Sequence, residues 1–69
     1  MIPYGKRLVQ LRGDRSQAAV ARDLGIAAST VAMYETEQRV PRDSIKIALA
    51  NYYGTTVQDI FYKEEKEMA

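Results

Sequence analysis

At 69 residues, with neither cysteine nor histidine, the chain is sized for one domain, has no disulfide staple and lacks the usual zinc ligands. A core this small must pack well or be completed by a partner, so oligomerisation is expected. No apolar run approaches the ~18 residues that span a membrane, and residues 1–7 lack a secretory signal's apolar stretch, so a soluble, cytoplasmic protein without cofactor or metal is expected.

The net charge of +1 says little, but its distribution says more. Residues 1–42 carry seven basic groups, six of them arginine, against four acidic ones, for +3; residues 43–69 come to −2. Arginine suits phosphates and base edges because its planar fork donates in pairs. A solvated surface with ordinary scatter would give the same count.

Five helical segments follow in chain order. The first covers about residues 3–12: Pro3 fits a first turn, where its missing N–H costs nothing, and Tyr4, Leu8 and Leu11 make a buried stripe. Gly13 stops it. The second starts on the Ser16 cap and runs to Leu24, with Val20, Ala21 and Leu24 inward and Gly25 as its stop. The third covers residues 28–35, with Val31 and Tyr34 inward and Ile26 plugging the turn before it. The fourth runs from Asp43, read as its cap, to Tyr53, with Ile45, Ala48, Leu49 and Tyr52 as its stripe and Gly54 as its stop. The fifth, residues 57–62, is capped by Thr56, carries Asp59 in its first turn and is anchored by Val57, Ile60 and Phe61. Residues 63–69 form a charged tail without an apolar stripe, leaving residues 1–62 as the domain. No run alternates apolar and polar residues, so the expected class is all-α.

The informative stretch is SQAAVARDLGIAASTVAMYETEQRVP, residues 16–41. Two short helices meet at Gly25 with about three residues between them, a joint that makes them cross steeply and exposes the outer face of the second. A helix about 12 Å across with its side chains fits the major groove of B-form DNA. Here the sequence resembles the Cro/C1-type helix-turn-helix family of phage and bacterial repressors, through Gln17, Ala21, Gly25, Ile26, Val31, Tyr34 and Glu35, followed by Arg39 and Pro41, and through the closing YYGTTVQDIF. The resemblance covers about residues 4–62. It implies a compact five-helix, lambda-repressor-like DNA-binding domain.

The resemblance also implies roles. Gln17 would reach the DNA backbone or an outer base; Ala28, Ser29, Thr30 and Met33 would face the groove; Arg39 would hold a phosphate. Arg42 and Lys46 either add to that or are simply solvated. Arg12 and Glu35 resemble a structural ion pair tying the first helix to the third. Three positions depart from the family pattern. Ala27 stands where a capping Ser or Thr is common. Glu37 replaces a common Gly after the third helix, which would reshape that turn and repel DNA if the side chain pointed inward. The loop at residues 13–15 is short. With no Arg, Asn or Gln at positions 28–33, specificity is expected to lean on apolar contacts and DNA shape.

The expected function is a sequence-specific, double-stranded DNA-binding transcriptional regulator, a repressor by resemblance, acting in the cytoplasm at the nucleoid. The alternative is a protein-interaction module of the same fold, such as an antitoxin. No catalytic constellation is legible, so no enzyme is expected. One motif presents one helix to one groove, so a homodimer on a palindromic operator is expected. Its surface would come from the fourth and fifth helices through Tyr53, Phe61 or Tyr62, unless those rings complete the monomer's own core.

Overall fold

The computed structural model describes residues 3–63. The order is α1 (Tyr4–Arg12), α2 (Gln17–Leu24), α3 (Ala28–Glu35), α4 (Asp43–Tyr53) and a final turn, α5 (Gln58–Tyr62), wound as a π-helix. There is no strand among the described residues. The all-helical, five-segment architecture is therefore the one expected from the sequence. Residues 64–69, most of the charged tail, lie outside the described residues.

The helix ends follow local chemistry. The Ser16 hydroxyl accepts from the Ala19 N–H at 3.0 Å, satisfying one of the free donors of α2's first turn. Thr56 does the same for Asp59 at 3.0 Å. Two starts differ from expectation. Pro3 is the N-cap of α1 rather than its first residue, with ψ at 142°. At α4 the cap is Arg42, and Asp43 is the first helical residue, so its carboxylate acts on the helix dipole instead of bonding an N–H.

α2 and α4 end alike. Gly25 takes a left-handed φ of 73°, and the N–H of Ile26 reaches back to the Ala21 carbonyl at 2.9 Å. Around Gly54, the Thr55 N–H meets the Ala50 carbonyl at 2.9 Å. This closure satisfies otherwise free carbonyls and turns the residue after the glycine inward. Here that residue is Ile26, which packs against the core.

The core has two overlapping parts. Leu8, Tyr34, Leu49, Ala50 and Ile60 form one, and Val20, Ala21 and Val31 the other, with Leu24, Ile26 and Tyr53 packed against both. The second part is the seam between α2 and α3. Val20 and Ala21 are shut against Val31 there, and the small Ala21 side chain permits the close approach. Ala50, absent from the stripe read in the sequence, is buried in place of Ala48.

Tyr53 and Phe61, considered above for a dimer surface, are half-buried against the monomer's own core. Phe61 packs against Tyr4 with the rings tilted and their centroids 5.3 Å apart. Burial pushes the Tyr53 hydroxyl above its ordinary pKa of 10.0. The Tyr52 hydroxyl is raised too, because it donates to Asp23 Oδ2 at 2.6 Å. A raised folded-state pKa means that the neutral ring favours folding: the stabilisation is complete below the ordinary tyrosine value and is lost as pH rises through the shifted ones. Urea melts between about pH 9 and about pH 12 should show stability falling as tyrosinate absorbance grows. Tyr53→Phe should flatten that fall, and an unchanged slope in this variant would contradict the assignment.

Candidate nucleic-acid interface

α3 is held from behind and open in front. Val31 and Tyr34 are buried, and Glu35 joins them, whereas Ala28 and Ser29 are exposed and Thr30, Ala32 and Met33 are partly so. Thr36, one turn beyond Ala32, is also exposed. The outward surface is thus the run Ala28, Ala32 and Thr36 beside Ser29 and Met33, at helical spacing. Ala32 and Thr36 were not singled out in the sequence, although the same four-residue spacing from Ala28 reaches both.

Small, uncharged groups make up this surface. The Thr36 hydroxyl donates to the Ala32 carbonyl at 2.9 Å, so the methyl is the group left for a partner. Glu35, the one charged residue within α3, is buried and paired. Ala27 offers no side-chain cap, and α3's first bonds are those of Thr30 and Val31 to the Ala27 carbonyl, so the N–H groups of Ala28 and Ser29 remain available.

The back of α3 is anchored at its C-terminal end. Arg12 Nε donates to Glu35 Oε2 at 2.7 Å and Arg12 Nη2 to Oε1 at 3.2 Å. This two-pronged pair ties α1 to α3, with the side chains 20% and 4% exposed respectively. The bond to Glu35 raises the Arg12 pKa further above its ordinary value. Arg12 Nη1 also donates to the Arg15 carbonyl at 2.8 Å, bracing the short loop before α2. Gln17 completes the cluster: its Nε2 donates to Glu35 Oε1 at 2.8 Å. The amide expected to reach outward is, in this structure, committed inward to α3.

The turn after α3 keeps the geometry that a glycine would give it, contrary to the reshaping anticipated above. Glu37 takes φ = 63°, and the Gln38 N–H meets the Met33 carbonyl at 2.9 Å, the same closure as at Gly25. A left-handed non-glycine residue costs roughly 1–2 kcal/mol. The side chain offers a compensation, because Glu37 Oε2 accepts from the Gly5 N–H at 3.1 Å. Pro3 gives α1 no side-chain cap. Glu37 supplies one from across the fold, with its negative charge at the positive end of the helix. It therefore faces α1.

The turn is fixed again two residues later, where the Tyr4 hydroxyl donates to the Arg39 carbonyl at 3.1 Å. The backbone of Arg39 is thereby anchored while its side chain is exposed, as is that of Arg42. Arg22 on α2 is exposed as well, beside Asp23 at 3.4 Å. Arg7, part of the basic excess in the sequence, has a different task. Its guanidinium donates to the carbonyls of Asp59, Ile60 and Lys63 at 3.2, 3.0 and 2.6 Å, closing α5 onto α1. Among the described residues, no group of three His, Cys, Asp or Glu side chains could hold a metal ion, and no helix is long and apolar enough to cross a membrane.

A family model described as a helix-turn-helix domain matches residues 3–60, nearly the whole described chain. That agrees with the Cro/C1-type resemblance carried by Gln17, Ala21, Gly25 and Glu35. No match was found among curated proteins.

Proposed function

Because the chain belongs to the helix-turn-helix domain family, we propose that it is a sequence-specific DNA-binding transcriptional regulator, a repressor, that sets α3 into the major groove of double-stranded DNA. The observation that carries this is the exposed, uncharged outer surface of α3 standing clear of the α2–α3 seam, with exposed Arg22, Arg39 and Arg42 on the flanking segments. Ala28, Ser29, Thr30 and Met33 meet base edges, and Arg39 meets a phosphate. Gln17 reaches the backbone only if it exchanges its bond to Glu35 for one to DNA. The Arg12–Glu35 pair holds α3 at its working angle. The domain spans residues 1–62, with residues 63–69 as a charged extension, and the protein works in the cytoplasm at the nucleoid.

Two copies act together on a palindromic operator, because one helix in one groove gives too little affinity. Ile47 on α4 and Tyr62 on α5 support a contact surface at that end of the molecule, being 54% and 55% exposed despite their size. Tyr62 is braced by Lys46 Nζ, which donates to its hydroxyl at 2.7 Å.

Selection of bound sites from random duplexes, followed by titration from about 50 to about 200 mM salt, tests the reading. Neutralising several phosphates releases counterions, so affinity should fall by about 10³ or more across that range for a dimer making six or more such contacts. Arg39→Ala should weaken all sequences alike and reduce the salt slope by about one. No retention on any duplex at the lowest salt would remove the DNA-binding reading.

A further inference from the structure

We infer that α3 reads its site through the 5-methyl groups of pyrimidines, selecting thymine and accepting 5-methylcytosine over cytosine at the contacted positions. The inference rests on the proposed function above. Three observations lead to it.

First, the outer surface of α3 is built from Ala28, Ala32, Met33 and Thr36 with Ser29 among them, so apolar groups dominate it. Second, two of the polar groups that could compete are occupied, which leaves the short hydroxyls of Ser29 and Thr30. The Thr36 hydroxyl is bonded to the Ala32 and Met33 carbonyls at 2.9 and 3.4 Å, and the Gln17 amide to Glu35 at 2.8 Å. Reading adenine needs both ends of a carboxamide, and reading guanine needs a two-pronged cation; α3 presents neither. Third, no charge on the surface of α3 attracts or repels a particular base, because Glu35 is buried in its pair with Arg12. Phosphate attraction is left to the exposed arginines on the neighbouring segments.

In the major groove, the feature of an A·T pair that such a surface can hold is the thymine methyl. Cytosine presents an amino donor and no methyl; methylation at its C5 restores the apolar group at nearly the same place. Ser29 and Thr30 each add at most a single hydrogen bond, which gives little discrimination on its own.

The probe is the selected operator itself, synthesised with uracil replacing thymine one position at a time, so that only a methyl is removed. At each contacted position, affinity should fall by about fourfold, the worth of one buried methyl group. Cytosine placed at such a position should weaken binding, and 5-methylcytosine should recover about fourfold of that loss. Met33→Ala should shrink the uracil effect at one position and leave it elsewhere, because only groups in contact couple.

Tight, salt-dependent binding to the unmodified operator that no uracil substitution changes would overturn the methyl reading while leaving the regulator intact. A strict guanine requirement abolished by Ser29→Ala would overturn it too. Failure to bind the unmodified operator would remove both.

Discussion

Gly5→Ala is expected to destabilise the protein by about 3 kcal/mol, although the same exchange inside an exposed helix stabilises by about 1 kcal/mol. The reversal comes from one approach. A Cβ on residue 5 would lie 2.3 Å from the Glu35 carbonyl oxygen and 2.9 Å from its carbon. Both are backbone atoms at the end of α3, so no side chain can swing aside. α1 would have to withdraw, stretching the Gly5–Glu37 and Tyr4–Arg39 hydrogen bonds that also join these elements. In a domain this small, about 3 kcal/mol lowers the melting temperature by about 12–24 °C. A thermal melt within about 2 °C of the parent would mean that α1 and α3 do not meet as closely as described.

Arg12→Ala should be at least as severe, costing about 3–5 kcal/mol. The substitution strands the Glu35 carboxylate, 4% exposed, with Gln17 as its remaining side-chain partner. The reverse truncation, Glu35→Ala, should cost less. Arg12 keeps its bond to the Arg15 carbonyl at 2.8 Å and, at 20% exposure, can draw on water. Replacing both residues by leucine should recover much of the loss, since an apolar pair of similar volume avoids the desolvation of two ions. Gln17, only half-buried, can then turn to solvent. Chemical denaturation of Arg12→Leu, Glu35→Leu and the double leucine variant forms the check. Additive losses would show that the pair is not coupled, and the anchoring role assigned to it would fail.

The two variants also separate stability from recognition. Neither residue lies on the outer surface of α3, so at temperatures where the variants remain folded their base preferences should match the parent's. The Arg12–Glu35 pair and the Gly5 contact act on the same end of α3 from the α1 side. That end carries Thr36 and leads into the turn holding Arg39. On the proposed function, displacing it by a fraction of an ångström would move the proposed Arg39 phosphate contact relative to the outer surface of α3, and should therefore lower affinity evenly across sequences.

The exposed chemistry of α3 and its anchoring belong to different classes of information. The family resemblance implies an outward position for Ala28, Ser29, Thr30 and Met33, while helical spacing by itself assigns Val31 and Tyr34 to the core. The continuation to Ala32 and Thr36 obeys the same spacing. What spacing could not show is that the Thr36 hydroxyl turns back onto its own helix, or that Gln17 points at Glu35. A side-chain amide at the start of a helix has several partners within reach, and the choice depends on where another helix places its carboxylate.

The charges make the same point. Counting basic groups over residues 1–42 treats Arg7, Arg12 and Arg39 alike. In the folded chain Arg7 closes α5 onto α1, Arg12 neutralises a buried carboxylate, and of these three Arg39 alone is exposed. Guanidinium groups are interchangeable in a composition and not in a structure, because each takes whichever carbonyls or carboxylates the packed backbone brings within about 3 Å.

Glu37 is the clearest divergence. As an isolated residue in a turn that favours glycine, it predicts a changed shape, and repulsion of DNA if its side chain pointed inward. The fold instead keeps the left-handed turn and uses the carboxylate 32 residues away in sequence, on the uncapped start of α1. No local rule contains that contact.

The amino-acid order by itself determined the helices, their stops at Gly25 and Gly54, the Ser16 and Thr56 caps and the membership of most of the core. Each of these depends on groups within about one helical turn of one another, where backbone geometry leaves few choices. Tertiary structure alone decided the close meeting of Gly5 with Glu35, the capping of α1 by Glu37, the inward commitment of Gln17 and the division of labour among the arginines. Those contacts join residues far apart in the chain, and their partners exist only after the two core clusters have brought α1, α2 and α3 together.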